Sequence, residues 1–366
     1  MRVAIVSPYA LSAFGGVQEQ ALAMSRELSR RGHDVLIVAP DGHDRTTYDT
    51  PAHVARFGRV LKIPANGSRA PLTFSALAAR QARRTIEHFG PDVVHFHEPF
   101  APLLGWRVLR AHDAPAVATF HRGGGGPALG LTKPLLRSLA TDLDASAAVS
   151  ASAASTIHAA CGIEPVVLFN GFEMERFVAS PRERGDEVVL VVLGRHEERK
   201  GVAYAINAVR AHNVKGEDTW RLVVLGDGPQ RRSLEVLAAG DPLIEFIGAP
   251  SDAEKRRWLR RANALIAPST GAESFGMILL EGMASETAVV ASDIEGYREA
   301  ASGLATLFTP GDETSLEQAV ERALADETPE SVAAAMAHAR QWSMAALMDR
   351  YADLYEAARE HFVATR

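Results

Sequence analysis

Two loops in the C-terminal half of the sequence carry residue types that suit a charged, hydroxyl-rich ligand. The first, Gly194-Arg195-His196-Glu197-Glu198-Arg199-Lys200-Gly201, follows the apolar run Val188–Leu193. Open parallel sheets bind ligands beyond the carboxyl ends of their strands, so Arg195 and Lys200 could together grip a diphosphate. The alternative is a solvated charged loop in which Glu197 and Glu198 neutralise the cations.

The second loop leads into a helix and places two glutamates eight positions apart, at Glu273 and Glu281. Glu273 can accept hydrogen bonds from sugar hydroxyls, while backbone N–H groups around Phe275 and Gly276 face an anion. Glu281 follows among apolar neighbours, where an unpaired carboxylate would be costly, and a ribose diol is a suitable partner for it. The structural alternative is that Glu273 caps the helix and Glu281 faces solvent.

A glycine pair near the N-terminus suggests a further anion-facing turn. Gly15-Gly16-Val17-Gln18 follows the strand-like run Val3–Val6 and the loop Ser7-Pro8-Tyr9, and it opens a helix. Glycines let the backbone approach a ligand, and the helix N-terminus presents unpaired N–H groups. The three spaced glycines of dinucleotide-binding turns are absent, so a plain tight turn remains an alternative.

The elements around these loops predict two α/β domains. Short β-branched runs alternate with amphipathic stretches, which indicates βαβ units around parallel sheets. A chain of 366 residues exceeds the usual size of one hydrophobic core. We therefore expect Rossmann-like domains at 1–170 and 171–342, facing each other across a deep cleft, and a last helix at 343–366 that crosses back to the first domain.

Composition excludes several function classes. A formal net charge of -6 gives no global basic surface for a nucleic acid. Cys161 is the single cysteine, which excludes an internal disulfide and a multi-cysteine metal site. No apolar run approaches the roughly 20 residues that cross a bilayer, so we expect a cytoplasmic protein. His95 and His97 share a strand face without further ligands, and we predict no metal site.

Several ordered motifs together resemble one enzyme family. The spacing from Glu273 to Glu281 resembles the paired-glutamate signature of retaining GT-B glycosyltransferases of family 4. The loop from Gly194 to Gly201 is similar to their diphosphate-binding loop. Among them, the chain most resembles phosphatidylinositol mannosyltransferases. The remaining matching motifs are Gly15-Gly16-Val17-Gln18, Asn66-Gly67-Ser68, His97-Glu98-Pro99, Thr119-Phe120-His121 and Asn170-Gly171.

This resemblance implies a retaining transfer of mannose from GDP-mannose, without a cofactor or a metal, to an acceptor such as phosphatidylinositol. It implies catalytic roles for His121, Glu273, Arg195 and Lys200, with His121 reaching the transferred sugar. The implied donor-binding residues are Gly15, Gly16, Arg195, Lys200, Ser251, Asp252, Lys255, Glu273, Ser274, Phe275, Gly276, Met277 and Glu281. The implied acceptor-binding residues are Tyr9, Gln18, Asn66, Ser68 and Arg69.

The resemblance also implies peripheral contact with an anionic membrane. Arg80, Arg83 and Arg84 lie on one predicted helix, where lipid-modifying relatives carry a basic membrane-facing helix. A solvated helix face is the alternative. The glycine run after His121 departs from the family pattern, which predicts an altered acceptor preference. At the interdomain link, Phe169-Asn170-Gly171-Phe172-Glu173 keeps the hinge position with altered chemistry.

Three other functions remain open from the sequence. A transferase that uses UDP-glucose or UDP-N-acetylglucosamine would carry the same motifs, because no residue separates guanine from uracil by physical argument. Epimerases and glycogen-type phosphorylases also use Rossmann-like domains, although they lack the glutamate spacing. A non-catalytic protein that binds a nucleotide sugar would keep the same pocket residues.

Overall fold

The chain divides into two α/β units. The computed structural model describes residues 1–12, 16–42, 50–65, 68–101, 104–110, 113–121, 127–178, 185–216, 218–271, 273 and 275–365. The first unit comprises Met1–Gly171 and Met344–Arg366, and the second comprises Phe172–Ser343.

The first unit is built on a parallel sheet with strand order β3-β2-β1-β6-β7-β8-β9, and β4 and β5 form a separate antiparallel hairpin. Its central strands are apolar on both faces because helices cover both sides of the sheet. The strands are β1 (Arg2–Val6), β2 (Asp34–Asp41), β3 (His53–Arg59), β4 (Leu61–Ala65), β5 (Ser68–Leu72), β6 (Val93–His97), β7 (Ala116–Phe120), β8 (Ala145–Ala148) and β9 (Val166–Val167).

Helices connect these strands and bury their apolar faces on the sheet. Ser75 and Ser150 cap the N-termini of α2 and α5, as their side chains accept backbone hydrogen bonds three residues on. The helices are α1 (Gly16–Arg30), α2 (Ala76–Phe89), α3 (Leu104–Leu109), α4 (Pro127–Ala140) and α5 (Ala151–Cys161).

Two strands of this sheet differ from what the sequence pattern predicts. The pattern Val166–Phe169 predicted a buried strand, but β9 covers Val166 and Val167 alone, and both side chains are about half exposed at the sheet edge. β3 was not predicted, because Arg56 and Arg59 interrupt the apolar run in His53–Arg59 and the strand is only partly buried. This edge strand lacks the apolar pattern of central parallel strands, whereas β9 is apolar but exposed.

The second unit repeats the architecture with strand order β12-β11-β10-β13-β14-β15, all parallel. Its strands are β10 (Val188–Leu193), β11 (Trp220–Leu225), β12 (Ile244–Gly248), β13 (Ala264–Ala267), β14 (Ala288–Ser292) and β15 (Thr306–Phe308). Its helices are α6 (Met174–Val178), α7 (Val202–Lys215), α8 (Arg231–Ala238), α9 (Asp252–Arg261), α10 (Met277–Ala284), α11 (Glu295–Ala301), α12 (Glu313–Ala325) and α13 (Pro329–Arg340).

The last helix, α14 (Met344–Thr365), belongs to the first unit, as predicted. It begins directly after Ser343, the predicted cap. Leu347, Tyr351 and Ala358 are buried on one face, and the helix contacts α1, β7 and β8. The core of the first unit is therefore completed by residues from the end of the chain. No helix in the described ranges is both long and apolar enough to cross a membrane.

We predict that Leu347→Ala destabilises the first unit. Leu347 is 2% exposed, and truncating a buried leucine costs about 2–5 kcal/mol through lost burial and a cavity. Segment-resolved hydrogen exchange should show faster exchange in β1 and β6, with β10 and β13 unaffected. Val363→Ala, at a side chain that is 79% exposed on the same helix, is the control. Equal protection in both variants would contradict this role of α14.

Candidate functional site

The loops after β10 and β13 lie against each other in the second unit. After β10 the chain makes a 3-10 turn at Glu198–Lys200 and reaches Gly201, whose φ is +64°. A Cβ at Gly201 would lie 2.0 Å from the carbonyl oxygen of Pro268, so a larger residue is excluded. The backbone N–H of Thr270 donates to the carbonyl of Arg199 at 2.8 Å. This contact holds the two predicted ligand loops together.

Glu273 is the carboxylate on which the cations of the first loop converge. Its Oε1 accepts from Lys200 Nζ, from Arg199 Nη1 at 3.1 Å and from Ser269 Oγ at 3.2 Å. The Glu273 side chain is 14% exposed, whereas Arg199 is 43% exposed. The structure thus brings together two predicted site residues, Lys200 and Glu273, and adds Arg199, to which the prediction assigned no role.

Arg195 joins this group only indirectly. Its Nε lies 3.1 Å from Glu197 Oε1, and Glu197 Oε2 accepts from Arg199 Nε at 3.1 Å. Arg195 is 67% exposed. The five side chains form one line of alternating charge, Arg195–Glu197–Arg199–Glu273–Lys200. Glu197 therefore pairs with Arg195 and Arg199, as the alternative of a solvated charged loop required. Lys200 and Arg199, however, also contact Glu273 in the second loop.

Residues of α11 also fix the position of Glu273. Its carbonyl oxygen would lie 2.4 Å from a Cβ at Gly296, in α11, so only glycine allows the approach. Ser269 Oγ, besides its contact with Glu273, pairs with the hydroxyl of Tyr297 at 2.9 Å. Tyr297 is 2% exposed, and burial raises the pKa of its hydroxyl. A neutral, buried phenol therefore supports the serine that contacts Glu273.

The second predicted glutamate has a protein partner. Glu281, on α10, accepts from Lys255 Nζ at 2.9 Å, and both side chains are 17% exposed. Within the protein, Lys255 is the partner that keeps the Glu281 carboxylate from being unpaired. Asp252 Oδ1 lies 3.9 Å from the same Lys255 nitrogen. Three predicted donor residues are thus brought together, although 26 positions separate Lys255 from Glu281 along the chain.

Other predicted donor residues have structural partners in the second unit. Ser251 caps α9 in a reciprocal capping box with Glu254, so its hydroxyl and backbone N–H are engaged. The Phe275 ring lies 4.4 Å from that of Trp342, centroid to centroid. Gly276 precedes α10 with φ of +87°, and Met277 is the first residue of the helix.

In the first unit, Gly16 begins α1, and a Cβ built on it meets no atom of the described residues within 4 Å. Gln18 is 6% exposed and its Nε2 donates to the Ala10 carbonyl at 3.5 Å, so its amide has an internal partner. Tyr9 is half-buried, and its backbone N–H donates to Ser7 Oγ at 3.3 Å. The space beside Gly16 is consistent with close approach of a ligand.

His121 lies at the end of β7 with two fixed contacts. Its backbone N–H donates to Glu98 Oε1 at 2.6 Å, and its ring Nε2 lies 2.9 Å from His97 Nδ1. Glu98 adopts φ of +47°, in the left-handed region that non-glycine residues rarely adopt. Burial lowers the pKa of His121 to about 4, so the ring is neutral at pH 7.

Some predicted residues cannot be placed. Gly15, Asn66 and Ser274 lie outside the described residues. Ser68 and Arg69 belong to β5, of which the backbone is described. Arg80 and Arg84 are exposed on α2, and Arg83 is half-buried and 3.4 Å from Glu87.

Both halves of the chain match known glycosyltransferase families. Residues 14–176 match the model described as Glycosyltransferase Family 4, and residues 187–326 match glycosyl transferases group 1. The chain is 32% identical to the phosphatidyl-myo-inositol mannosyltransferase of Propionibacterium freudenreichii, over 100% of this chain and 97% of the relative. It is 34% identical to the protein of that name from Mycobacterium tuberculosis, over 81% of this chain and 79% of the relative.

The chain belongs to the phosphatidyl-myo-inositol mannosyltransferase family. It is therefore a glycosyltransferase, as the motifs predicted. A glycosyltransferase from Rickettsia africae has a similar fold, with a TM-score of 0.72 and 18% identity over 98% of each chain. Sucrose-phosphate synthase from Thermosynechococcus elongatus gives a TM-score of 0.67 and 18% identity over 100% of each chain. The predicted GT-B fold class is confirmed.

In this member of the mannosyltransferase family, one further group has the composition of a metal site. Ligand atoms of His212, Glu317 and Glu321 lie within 4.8 Å of one another. Lys215 Nζ already pairs with Glu317 at 2.6 Å, and Asp218 lies 2.5 Å from His212 Nε2. The ion pairs within the protein account for this group.

Sequence reasoning missed Arg199, Ser269 and Tyr297 in the site of this glycosyltransferase. Arg199 stands beside Lys200 in the quoted motif, and a 3-10 turn directs both side chains to Glu273, which residue spacing alone does not reveal. Ser269 directly follows the strand-to-loop transition, and that position was the available signal. Tyr297 carried no signal, because it lies in another helix.

The pKa shifts of the buried histidines predict a loss of stability below neutral pH. Burial lowers the pKa of His95 from 6.5 to about 3, and burial together with His95 and His121 lowers that of His97 well below 6.5. Below pH 6.5 the unfolded chain therefore binds protons that the folded chain does not. The free energy of unfolding should fall as the pH drops from 6.5 to 5, by about 1.4 kcal/mol per pH unit for each such histidine.

Urea unfolding at pH 7.0, 6.0 and 5.0 measures this effect before most carboxylates titrate. His97→Asn removes one of the titrating rings and should reduce the slope. A free energy of unfolding that is constant or rises over this interval would contradict the neutral state of the buried rings.

Proposed function

We propose that this glycosyltransferase moves mannose from GDP-mannose to a hydroxyl of phosphatidylinositol, with retention of the anomeric configuration. The observation that carries the proposal is the convergence of Lys200 and Arg199 on Glu273, in two strand-end loops of the second unit. The relatives are named phosphatidyl-myo-inositol mannosyltransferases, which supports mannose as the transferred sugar and phosphatidylinositol as the acceptor.

The ion pairs of Glu273 suggest how a donor would bind. Without a ligand, one carboxylate neutralises two cations. A diphosphate carries more charge and more acceptor oxygens, so it would compete for Lys200 and Arg199. Arg195, largely exposed at the end of the same line of charge, could reach a second phosphate. Glu273 would then be free to accept hydrogen bonds from mannose hydroxyls.

The chemistry proposed for this site is charge stabilisation of the leaving GDP. The bond from C1 to the β-phosphate oxygen breaks, and a bond from C1 to the acceptor oxygen forms on the same face. The acceptor proton passes to the leaving phosphate. Lys200, Arg195 and the N–H groups before α10 would stabilise the growing negative charge. Because cationic side chains supply this charge, we propose that no divalent metal is required.

The pair Lys255–Glu281 is proposed to serve the nucleoside. Glu281 would accept from the ribose diol while keeping its contact with Lys255, because a carboxylate has several acceptor positions. Asp252 and the start of α9, which Ser251 caps, would lie near the base. Phe275, Gly276 and Met277 would contact the donor through the start of α10, and His121 would contact the transferred mannose.

Lys200→Ala and Glu273→Gln should separate donor binding from turnover. Lys200→Ala should weaken GDP binding and lower kcat/KM by about 10²-fold, since a group that stabilises transition-state charge is lost. Glu273→Gln should lower kcat/KM similarly but leave GDP binding unchanged or tighter, because the competing carboxylate is gone. Calorimetry with GDP and a mannose-transfer assay with phosphatidylinositol vesicles measure the two quantities.

Lys215→Ala is the matched control, because Lys215 also pairs with a buried carboxylate, Glu317, at the end of α7. It should keep GDP affinity and kcat/KM. Full turnover by Lys200→Ala would contradict the site. Turnover of UDP-glucose in place of GDP-mannose would contradict the donor, and retention should be checked from the anomeric configuration of the product.

We further propose that α2 contacts an anionic membrane surface. Arg80, Arg83 and Arg107 line an open groove together with Leu77, which is 65% exposed. Arg84 is exposed on the same helix. Cations attract an anionic leaflet, and the exposed leucine could enter the interface. A lipid acceptor would make this contact useful to the enzyme.

Replacing Arg80, Arg83 and Arg84 together by alanine should weaken binding to phosphatidylserine-containing vesicles by about 10²-fold, at about 1 kcal/mol per cation. Vesicle co-sedimentation at low salt measures the partition, and added salt should reduce it.

The charge-matched control replaces the exposed Arg232, Arg322 and Arg350 by alanine. If both triple variants bind the vesicles equally, the net charge of the protein explains the attraction to the membrane. That result would contradict a specific role for α2.

A further inference from the structure

A buried network of rings lies beneath His121 in the first unit. The ring of His97 is 1% exposed, and its Nδ1 lies 2.9 Å from His121 Nε2. The other nitrogen, His97 Nε2, is buried and makes no hydrogen bond to any described residue. One imidazole nitrogen is therefore paired and the other is not, which constrains the positions of the protons.

Two arrangements of protons satisfy the contact between the rings. In the first, His97 Nδ1–H donates to His121 Nε2, and the unpaired His97 Nε2 is a bare acceptor. In the second, His121 Nε2–H donates to His97 Nδ1, and His97 must bury an unpaired N–H. Among backbone groups, orphaned buried N–H donors are rarer than under-satisfied carbonyl acceptors, and we apply the same preference to the imidazole ring. The first arrangement is favoured.

The His97 ring packs against His95, whose own ring is held by hydrogen bonds at both nitrogens. His95 stacks on it, with ring centroids 4.9 Å apart and an interplanar angle of 19°. His95 Nδ1 lies 2.7 Å from the hydroxyl of Tyr355, and its Nε2 lies 2.7 Å from Thr119 Oγ1. Tyr351 contacts Thr119 Oγ1 at 2.6 Å. The two tyrosines belong to α14, so the last helix supports the platform for His97.

We propose that His97 is a positioning residue that fixes His121 as the Nδ1–H tautomer, so that His121 acts as a hydrogen-bond donor and not as a base. Among the described residues, none makes a hydrogen bond with His121 Nδ1. The backbone bond from His121 to Glu98 Oε1 fixes the start of the side chain, and His97 fixes its far nitrogen. The N–H then faces an acceptor oxygen of the ligand, which under the proposed function is an oxygen of mannose.

The tautomer can be measured on the full chain without a substrate. Protonated and bare imidazole nitrogens have well-separated ¹⁵N shifts, so a long-range ¹H–¹⁵N spectrum of the ¹⁵N-histidine-labelled protein distinguishes them. His121 is assigned by the loss of its signals in His121→Gln. We expect a protonated Nδ1 and a bare Nε2 at pH 7. A protonated Nε2 in the wild-type chain would overturn the proposal.

His97→Asn and His97→Leu form a matched pair of nearly equal size. The asparagine amide nitrogen occupies the place of Nδ1 and can still donate, whereas leucine cannot. His97→Asn should keep the His121 tautomer and remain within about threefold of the wild-type kcat, since the donor is kept. His97→Leu should shift the tautomer and lower kcat about tenfold, the effect of losing one hydrogen bond, with a smaller change in KM for the donor. Equal kcat in the two variants would contradict a role through the hydrogen bond.

Substitution of His121 itself gives an independent test. Asparagine at position 121 places an N–H near Nδ1, whereas the glutamine amide reaches the place of Nε2. His121→Asn should therefore retain more activity than His121→Gln, and the reverse order would contradict the assignment. The activity tests of these variants rest on the proposed function, whereas the spectra do not. If the spectra show the expected tautomer but no mannose is transferred, the proposed function alone is refuted. If mannose is transferred but His121 Nε2 is protonated, the tautomer assignment alone is refuted.

Discussion

The candidate site of the second unit depends on one shared carboxylate. Glu273 accepts from both Lys200 and Arg199, and Glu197 connects Arg199 to Arg195. A pair of opposite charges about 4 Å apart near a protein surface attracts by about 4 kcal/mol before solvation costs, and exposed pairs contribute about 0–1 kcal/mol net. The more exposed pairs of this line, at Arg195 and Arg199, therefore add little to stability. Under the proposed function, the line holds the cations in position with a partner that another anion would replace.

The backbone makes this arrangement possible. Lys200 and Glu273 are in contact because the loop at Gly201 touches the carbonyl of Pro268, and the Glu273 carbonyl lies against Gly296 in α11. Loops this close leave no room for a Cβ at either glycine. The parallel sheet places the ends of β10 and β13 side by side, so the charge contacts follow from the strand order.

Much of the fold could be predicted from the sequence, because buried parallel strands are apolar on both faces and their pattern is local. Val188–Leu193 is a strand with the predicted bounds. The strand His53–Arg59 escaped prediction because edge strands lack that pattern. In the site, the loops and several residues could be predicted from their places after strands. The partners could not: Lys255 meets Glu281, and Phe275 meets Trp342, through tertiary packing that no spacing encodes.

The two units handle polar groups in opposite ways, and their chemistry explains why. The second unit leaves its cations partly solvated beside carboxylates, so under the proposed function a diphosphate would exchange with a carboxylate. The first unit buries neutral imidazoles, whose pKa values are lowered because burial disfavours the charged form. A neutral ring offers one donor and one acceptor, so its proton position is set by its neighbours. Tyr351 and Tyr355 lie in the last helix and contact Thr119 and His95, so the surroundings of the His97 ring, in the middle of the chain, include residues from its end.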